Sequence, residues 1–316
     1  MSAPAAELLD VGYSSAFEHA IDEFLSSRGG SGKWAALHGN APGSRMAGFE
    51  TATLAELERH VGALHGKRVL DFGCGTGTIT PSLAVRASEV VAFDVSADAV
   101  EITRHRLREH DLAHVEVHRA DSYRDVADQL GSFDVVILHA VFEHVPLSIR
   151  GLRADVMQLA FDALVPGGHL FIAESPNRLV PRDIYCTGLW LLPWTRGGSR
   201  WAYRWAVKAG RHHDPTGRGP ISLEERGAWG FTYWAVRRYL TDREHDVVNA
   251  RRGHDRWVRY GRSLSRKRRW FETAAYYGLT RTVRIPIVAV APMISPLVIR
   301  RRDRKGPEPG RDVAAC

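Results

Sequence analysis

From Lys67 to Ala173 the chain alternates short, wholly apolar runs with longer segments in which apolar residues recur every three or four positions. An apolar run bounded by turn residues reads as a strand buried on both faces, and the longer period reads as a helix with one buried stripe. The pattern predicts strands at Arg68–Phe72, Val90–Phe93, Val115–His118, Phe133–Leu138 and His169–Ala173. Between them it predicts a helix from near Thr78 to near Val85, a second from a Ser96 N-cap through Leu107, and a third over Leu152–Leu164. Strands that alternate with helices imply a mostly parallel sheet with helices on both faces, because parallel neighbours need a crossover.

Two helices are predicted upstream. Ser14–Ser27 places Phe17, Ala20, Ile21, Phe24 and Leu25 at helical spacing, and Thr51–Leu64 does the same with Leu54, Leu57, Val61 and Leu64. The glycine-rich loop Arg28–Lys33 between them is not a phosphate loop, since it follows a helix and Trp34 stands after its lysine. After Glu174 the rhythm stops. Residues 175–225, rich in Pro, Gly, Trp and Arg, are too long for an ordinary connection and predict an active-site cover. A helix at Tyr233–Leu240, a short strand at Asp246–Ala250, a basic helix over Trp257–Tyr277 and a last strand at Leu297–Arg301 follow. The apolar run Ile285–Ile299 holds Pro286, Pro292 and Pro296 and is 15 residues long. A membrane-spanning helix needs about 20. The expected division is a tail and helical cover over 1–50, a core over 51–177, a substrate cover completing the sheet over 178–302, and a disordered tail over 303–316.

Composition sharpens the boundary after Asn177. Residues 1–177 carry 14 Lys and Arg against 24 Asp and Glu, whereas residues 178–316 carry 29 against 12. Eight of the nine tryptophans lie at Trp190 or beyond, in that same basic half. Three widely spaced cysteines, Cys74, Cys186 and Cys316, make neither a disulfide framework nor a zinc site. With no basic, apolar leader in Met1–Asp10, the expected location is the cytoplasm.

Chemistry concentrates at the strand ends. Asp71 closes the first strand, and Gly73, Gly75 and Gly77 alternate into the next helix around Cys74. Such a turn admits a ligand close to the backbone. Its spacing is G-x-G-x-G, not the G-x-G-x-x-G of dinucleotide enzymes. Asp94, followed by Val95, closes the second strand, where a carboxylate can accept hydrogen bonds from two ribose hydroxyls. Asp121 and Ser122 follow the third strand, His139 to Val145 the fourth, and Pro166-Gly-Gly168 enters the fifth.

Taken together and in this order, the five segments resemble the class I methyltransferases that bind S-adenosylmethionine (SAM). The resemblance implies a Rossmann-like α/β fold with a mostly parallel seven-stranded sheet, N-terminal helices and a C-terminal helical, basic insertion. It implies SAM contacts from Asp71, Gly73, Cys74, Gly75, Gly77, Asp94, Val95, Asp121, Ser122 and His139, with Asp121 near the adenine amino group. Methyl transfer needs alignment, exclusion of water and sometimes a base. The candidate bases are His144, beside Glu143, and His213 in the predicted cover. Some quinone-pathway relatives bind a divalent ion through Glu-x-x-Glu-His, but Ala140 stands at the first acid here, so no metal is expected. Relatives with a similar segment after strand five often carry a histidine shortly before Thr187-Gly-Leu189, where this chain has Tyr185-Cys186.

The expected activity is methylation of a small-molecule or lipid-linked acceptor, on oxygen. Rivals are a nucleic-acid methyltransferase, suggested by the basic half, and a SAM-fold scaffold without catalysis. The strand-four sequence His139-Ala-Val-Phe142 lacks the N/D-P-P-Y/F motif of enzymes that methylate flipped bases, so nucleic acid is disfavoured. Arginines of the C-terminal half, interleaved with aromatic residues, also suggest a peripheral contact with an anionic membrane at its inner face.

Overall fold

The computed structural model describes residues 8–27, 45–214, 217–248, 285–294 and 296–302, with isolated positions at 270, 274, 278 and 282. The loop expected over 28–33, the tail over 303–316 and, apart from positions 270 and 274, the basic helix expected over Trp257–Tyr277 lie outside the described residues.

Nine strands are described: β1 (Arg68–Phe72), β2 (Glu89–Asp94), β3 (Glu116–Arg119), β4 (Phe133–His139), β5 (Leu164–Ala173), β6 (Ser175–Pro176), β7 (His245–Val247), β8 (Met293–Ile294) and β9 (Leu297–Arg301). Seven form one sheet in the order β3-β2-β1-β4-β5-β9-β7, and β6 pairs with β8 in a separate ribbon. β1 to β5 run parallel, while β9 is antiparallel to both β5 and β7. The expected mostly parallel seven-stranded sheet is present. Every expected strand has a counterpart, but β5 begins five residues early, at Leu164, and the end expected at Ala250 lies outside the described residues. The β6–β8 ribbon, two residues per strand, is too short to leave a period in the sequence.

The strands read as continuous apolar runs because the sheet is buried on both sides. Successive residues point to opposite faces. Leu70, Val91, Val136 and Leu170 enter one core, and Val69, Val90, Val135 and Phe171 enter the other. Helix α1 (Ser15–Ser27) lays Phe17, Ile21 and Phe24 on Ala99 and Ile102 of a later helix. The segment expected as one helix over Thr51–Leu64 begins earlier and is irregular. A short turn at Arg45–Gly48 leads into a wide π-type turn at Phe49–Thr53, and regular helix α2 runs over Leu54–Val61. Gly62, at φ 77°, stops it before Leu64, which is buried without being helical.

In the core, α3 (Thr80–Ala84) follows the glycine turn and α4 (Ala97–Glu109) is capped by the Ser96 hydroxyl, which accepts from the Ala99 N–H at 3.3 Å. Helix α5 (Leu152–Asp162) precedes β5. The expected cover contains two helices that its Pro and Gly content concealed, α6 (Arg200–Lys208) and α7 (Pro220–Glu225), before α8 (Tyr233–Tyr239). Trp229, Leu192 and Leu223 form the cover's own small core with Ala202 and Ala206 of α6.

Candidate functional site

The strand order reverses between β1 and its neighbours β2 and β4, and ligands of open α/β sheets bind beyond the strand ends at such a point. The glycine turn after β1 lies there. Its three glycines all have positive φ, but for different reasons. A Cβ on Gly73 would meet Val141 at 2.7 Å, and one on Gly77 would meet Thr103 at 2.8 Å, so these two admit close packing within the protein. A Cβ on Gly75, at φ +56°, would meet nothing within 4 Å. It would enter open space above the turn, so Gly75 leaves bare backbone for a ligand.

Asp94 holds that turn from the end of β2. One carboxylate oxygen accepts from the Gly75 N–H at 2.8 Å, and the other accepts from the Ser96 N–H at 2.9 Å. Each oxygen keeps a further lone pair. Beside it Val95 is exposed, an apolar side chain at the mouth of the turn. Asp71 is buried and accepts from the Thr80 hydroxyl at 2.7 Å. Burial raises its pKa to about 7, with the Asp94 charge adding to the rise. Asp71 therefore ties β1 to α3. Cys74 is buried near the Thr103 hydroxyl, and burial pushes its thiol well above the usual range, which leaves it unreactive. Asp121 is exposed after β3 and paired with Arg119 at 2.5 Å, while Ser122 caps the next turn by accepting from the Arg124 N–H.

A cavity of about 410 Å³ opens at the ends of β4 and β5. Phe49, Ala52 and Met293 supply apolar wall; Arg45, His139, Glu174 and Tyr185 supply polar groups. His139 meets the Phe49 ring edge-on at 5.5 Å. Ala140 and Glu174, which follow β4 and β5, both have positive φ, 55° and 58°, and both line the cavity. Backbone strain of this kind persists where the surroundings over-determine it, and here it sits at the two strand ends that frame the site.

His144 lies in a short 3₁₀ turn, Phe142–His144, behind the cavity wall. Its Nε2 is 3.2 Å from the Tyr185 hydroxyl, and Tyr185 does line the cavity. His213, the other candidate base, is exposed and is not among the lining residues. Its neighbour His212 is buried against the Ser222 hydroxyl at 2.9 Å. Among the described residues no three His, Cys, Asp or Glu side chains converge as a metal site. Glu143 is turned inward instead and accepts from the Ser175 hydroxyl at 2.6 Å.

The sequence missed Arg45, Phe49, Glu174 and Tyr185 as site residues. Arg45 and Phe49 precede the regular helix that periodicity detects, and Glu174 was visible only as the place where the rhythm ends. Tyr185 reaches the site through long-range packing, which leaves no local pattern.

Residues 69–168 match the methyltransferase domain family. The ubiquinone biosynthesis O-methyltransferase of Xanthomonas campestris pv. campestris is 38% identical over 114 residues, covering 35% of this chain and 44% of that protein. The enzyme of that name from Acinetobacter baylyi is 29% identical over 117 residues, covering 37% of this chain and 47% of the relative. The chain thus spans about half the length of the curated relatives it matches. Among solved structures, MccD protein aligns over 80% of this chain and 97% of its own, at 14% identity and a TM-score of 0.43.

Proposed function

We propose, on the premise that residues 69–168 are a class I methyltransferase domain, that this chain transfers a methyl group from SAM to a hydroxyl oxygen of a small organic acceptor. The observation that supports the reading is the bare backbone at Gly75, pinned by Asp94 at the switch point of the sheet, on a sheet that also carries a cavity at the ends of β4 and β5. When bound, SAM would supply an electrophilic methyl carbon for the acceptor oxygen, with the electron pair of the broken carbon–sulfur bond going to sulfur.

The residues present fit that cofactor. The free lone pairs of Asp94 would receive ribose hydroxyls, and the exposed Val95 would lie against the adenine, with Asp121 and Ser122 near its edge. Gly75 would let the amino-acid end pass close to the backbone. The chain's own contribution is alignment and exclusion of water. The apolar wall of Phe49, Ala52 and Met293 suits an organic acceptor, and the relatives' printed name supports oxygen as the methylated atom.

A lipid-linked acceptor is the finer form of this reading, with the cover resting on an anionic membrane. Trp190, Trp194 and Trp201 are 60%, 58% and 62% exposed, and Arg182, Arg200, Arg204 and Lys208 are exposed in the same segment. Aromatic side chains settle at a bilayer interface, and basic residues near an anionic surface contribute about 1 kcal/mol each. Among the described residues no helix is long and apolar enough to cross a membrane.

Calorimetry with SAM, followed by incubation of methyl-labelled SAM with fractionated cell extract, tests the proposal. SAM binding with label in solvent-soluble small molecules supports it; label confined to RNA or protein overturns it.

A further inference from the structure

We propose that Tyr185 and His144 form a proton relay that takes the hydroxyl proton of the acceptor out of the cavity during methyl transfer. This rests on the methyltransferase reading above and adds the route of the proton to it.

The hydrogen-bond pattern sets the direction of the relay. His144 Nδ1 is 2.5 Å from the backbone carbonyl oxygen of Glu225. A carbonyl only accepts, so Nδ1 carries the hydrogen and, in the neutral ring, Nε2 presents its lone pair. That lone pair faces the Tyr185 hydroxyl at 3.2 Å and can accept its hydrogen, in competition with the Glu143 carboxylate, which also lies within hydrogen-bonding reach of the phenol. Tyr185 belongs to the cavity wall together with Arg45, whereas His144 does not line the cavity. An acceptor hydroxyl in the cavity therefore meets Tyr185 first and His144 only through it.

The proton balance closes on these two side chains. As the acceptor oxygen bonds to the methyl carbon, its O–H bond breaks and the proton passes to the Tyr185 oxygen. The proton that Tyr185 already carried moves to His144 Nε2, which leaves a neutral phenol and an imidazolium. Burial, with the Glu143 carboxylate nearby, holds Tyr185 above the usual tyrosine range, so it stays protonated and passes a proton without storing charge.

The surroundings suit the imidazolium. Glu143 is fully buried, with one carboxylate oxygen 3.9 Å from His144 Nε2 and in reach of the Tyr185 hydroxyl. A buried carboxylate so placed favours a positive charge on the ring next to it. Arg153, itself buried, fixes the turn by donating to the backbone carbonyls of Val145, Trp229 and Gly230. A Cβ on Gly227 would strike the Tyr185 ring at 2.8 Å and Glu143 at 3.0 Å, so the cover is shaped to hold this pair. The charged and titratable groups around His144 are thus Glu143, Tyr185, Arg45 across Tyr185, and Arg153 behind the turn. Glu224 of α7 is engaged by the Ser148 N–H at 3.1 Å.

Two measurements on the full chain test the relay. The first is ¹⁵N-histidine NMR, with and without S-adenosylhomocysteine, on the wild type and on Tyr185→Phe. The expected result is a neutral His144 protonated on Nδ1, with an Nε2 resonance that moves in the variant. A ring protonated on Nε2, or one unmoved by the substitution, overturns the relay whether or not turnover is seen. The second is label transfer into the extract fraction that the wild type methylates, measured against pH for Tyr185→Phe, His144→Gln and the double variant. General acid–base catalysis is worth about 10²–10⁴-fold. Each single variant should lose at least a hundredfold in rate with SAM affinity and melting temperature retained. The double variant should be no slower than the slower single, and the rise of rate with pH should vanish. Wild-type rates in Tyr185→Phe overturn the relay and leave the methyltransferase reading standing. A wild type that binds no SAM and transfers no label overturns that reading, and the relay with it.

Discussion

Asp94, at the end of β2, accepts a hydrogen bond from the backbone N–H of Gly75, in the turn after β1, at 2.8 Å. One carboxylate thereby joins the ends of β1 and β2 and holds Gly75 in place, where the proposed cofactor would lie. Replacing Asp94 with Ala removes both the tether and the ribose acceptor. Charge-assisted hydrogen bonds contribute about 1.5–3 kcal/mol, so SAM affinity should fall at least about tenfold. Calorimetry on a variant shown by circular dichroism to be folded checks this, and unchanged affinity would remove Asp94 from the site.

The glycines should separate by phenotype. Gly77→Val drives a side chain into Thr103, including its backbone at 3.1 Å, and should lower the melting temperature. The Cβ of Gly75→Val meets no protein atom within 4 Å, so the cost to the fold comes chiefly from the strain at φ +56°. It should abolish SAM binding while losing less stability than Gly77→Val. Thermal melts and binding isotherms of the two variants decide the matter, and normal SAM binding by Gly75→Val would place the ligand elsewhere.

Asp71 predicts a pH dependence of stability. Its folded pKa lies near 7, above the ordinary aspartate value of 3.8. Between those values the folded chain holds a proton that the unfolded chain has released. The associated stability is complete below about pH 4 and is lost as pH rises to about 7. Asp71→Asn has no such proton, so its stability relative to wild type should improve across that window and level off above it. Urea melts at a series of pH values would show this; a difference that does not change with pH would contradict the assigned burial effect.

Much of this was legible because the sheet is buried on both faces. Val69-Leu70 and Val135–Leu138 had to be apolar on every residue, which made strands of the parallel core plain in the sequence. The placement of Asp94 and Gly75 at strand ends was legible for another reason: sequence spacing records position at a strand end. The cover was less legible. Helices α6 and α7 lie among Pro and Gly residues that read as loop, and the sequence marked Tyr185 only as a departure from a histidine. His144 and Tyr185 are 41 residues apart and meet through the packing of the cover on the core. No local pattern encodes that meeting.

The exposed tryptophans of the cover predict binding to anionic vesicles. Co-sedimentation should require phosphatidylglycerol, fade at high salt because surface charges are screened, and weaken when Trp190 and Trp201 are replaced by Ser. Failure to sediment at low salt would leave these side chains as solvent-exposed cover and the acceptor as a freely soluble molecule.

Transfer of a trideuteromethyl group tests oxygen methylation most directly. The protein is incubated with SAM carrying that group and an extract of small molecules, and the products are resolved by mass spectrometry and NMR. An O-methyltransferase yields a small molecule bearing one trideuteromethyl ether, absent when Gly75→Val replaces the wild type. A label found on nitrogen, carbon, RNA or protein, or an ether formed equally by Gly75→Val, would contradict it.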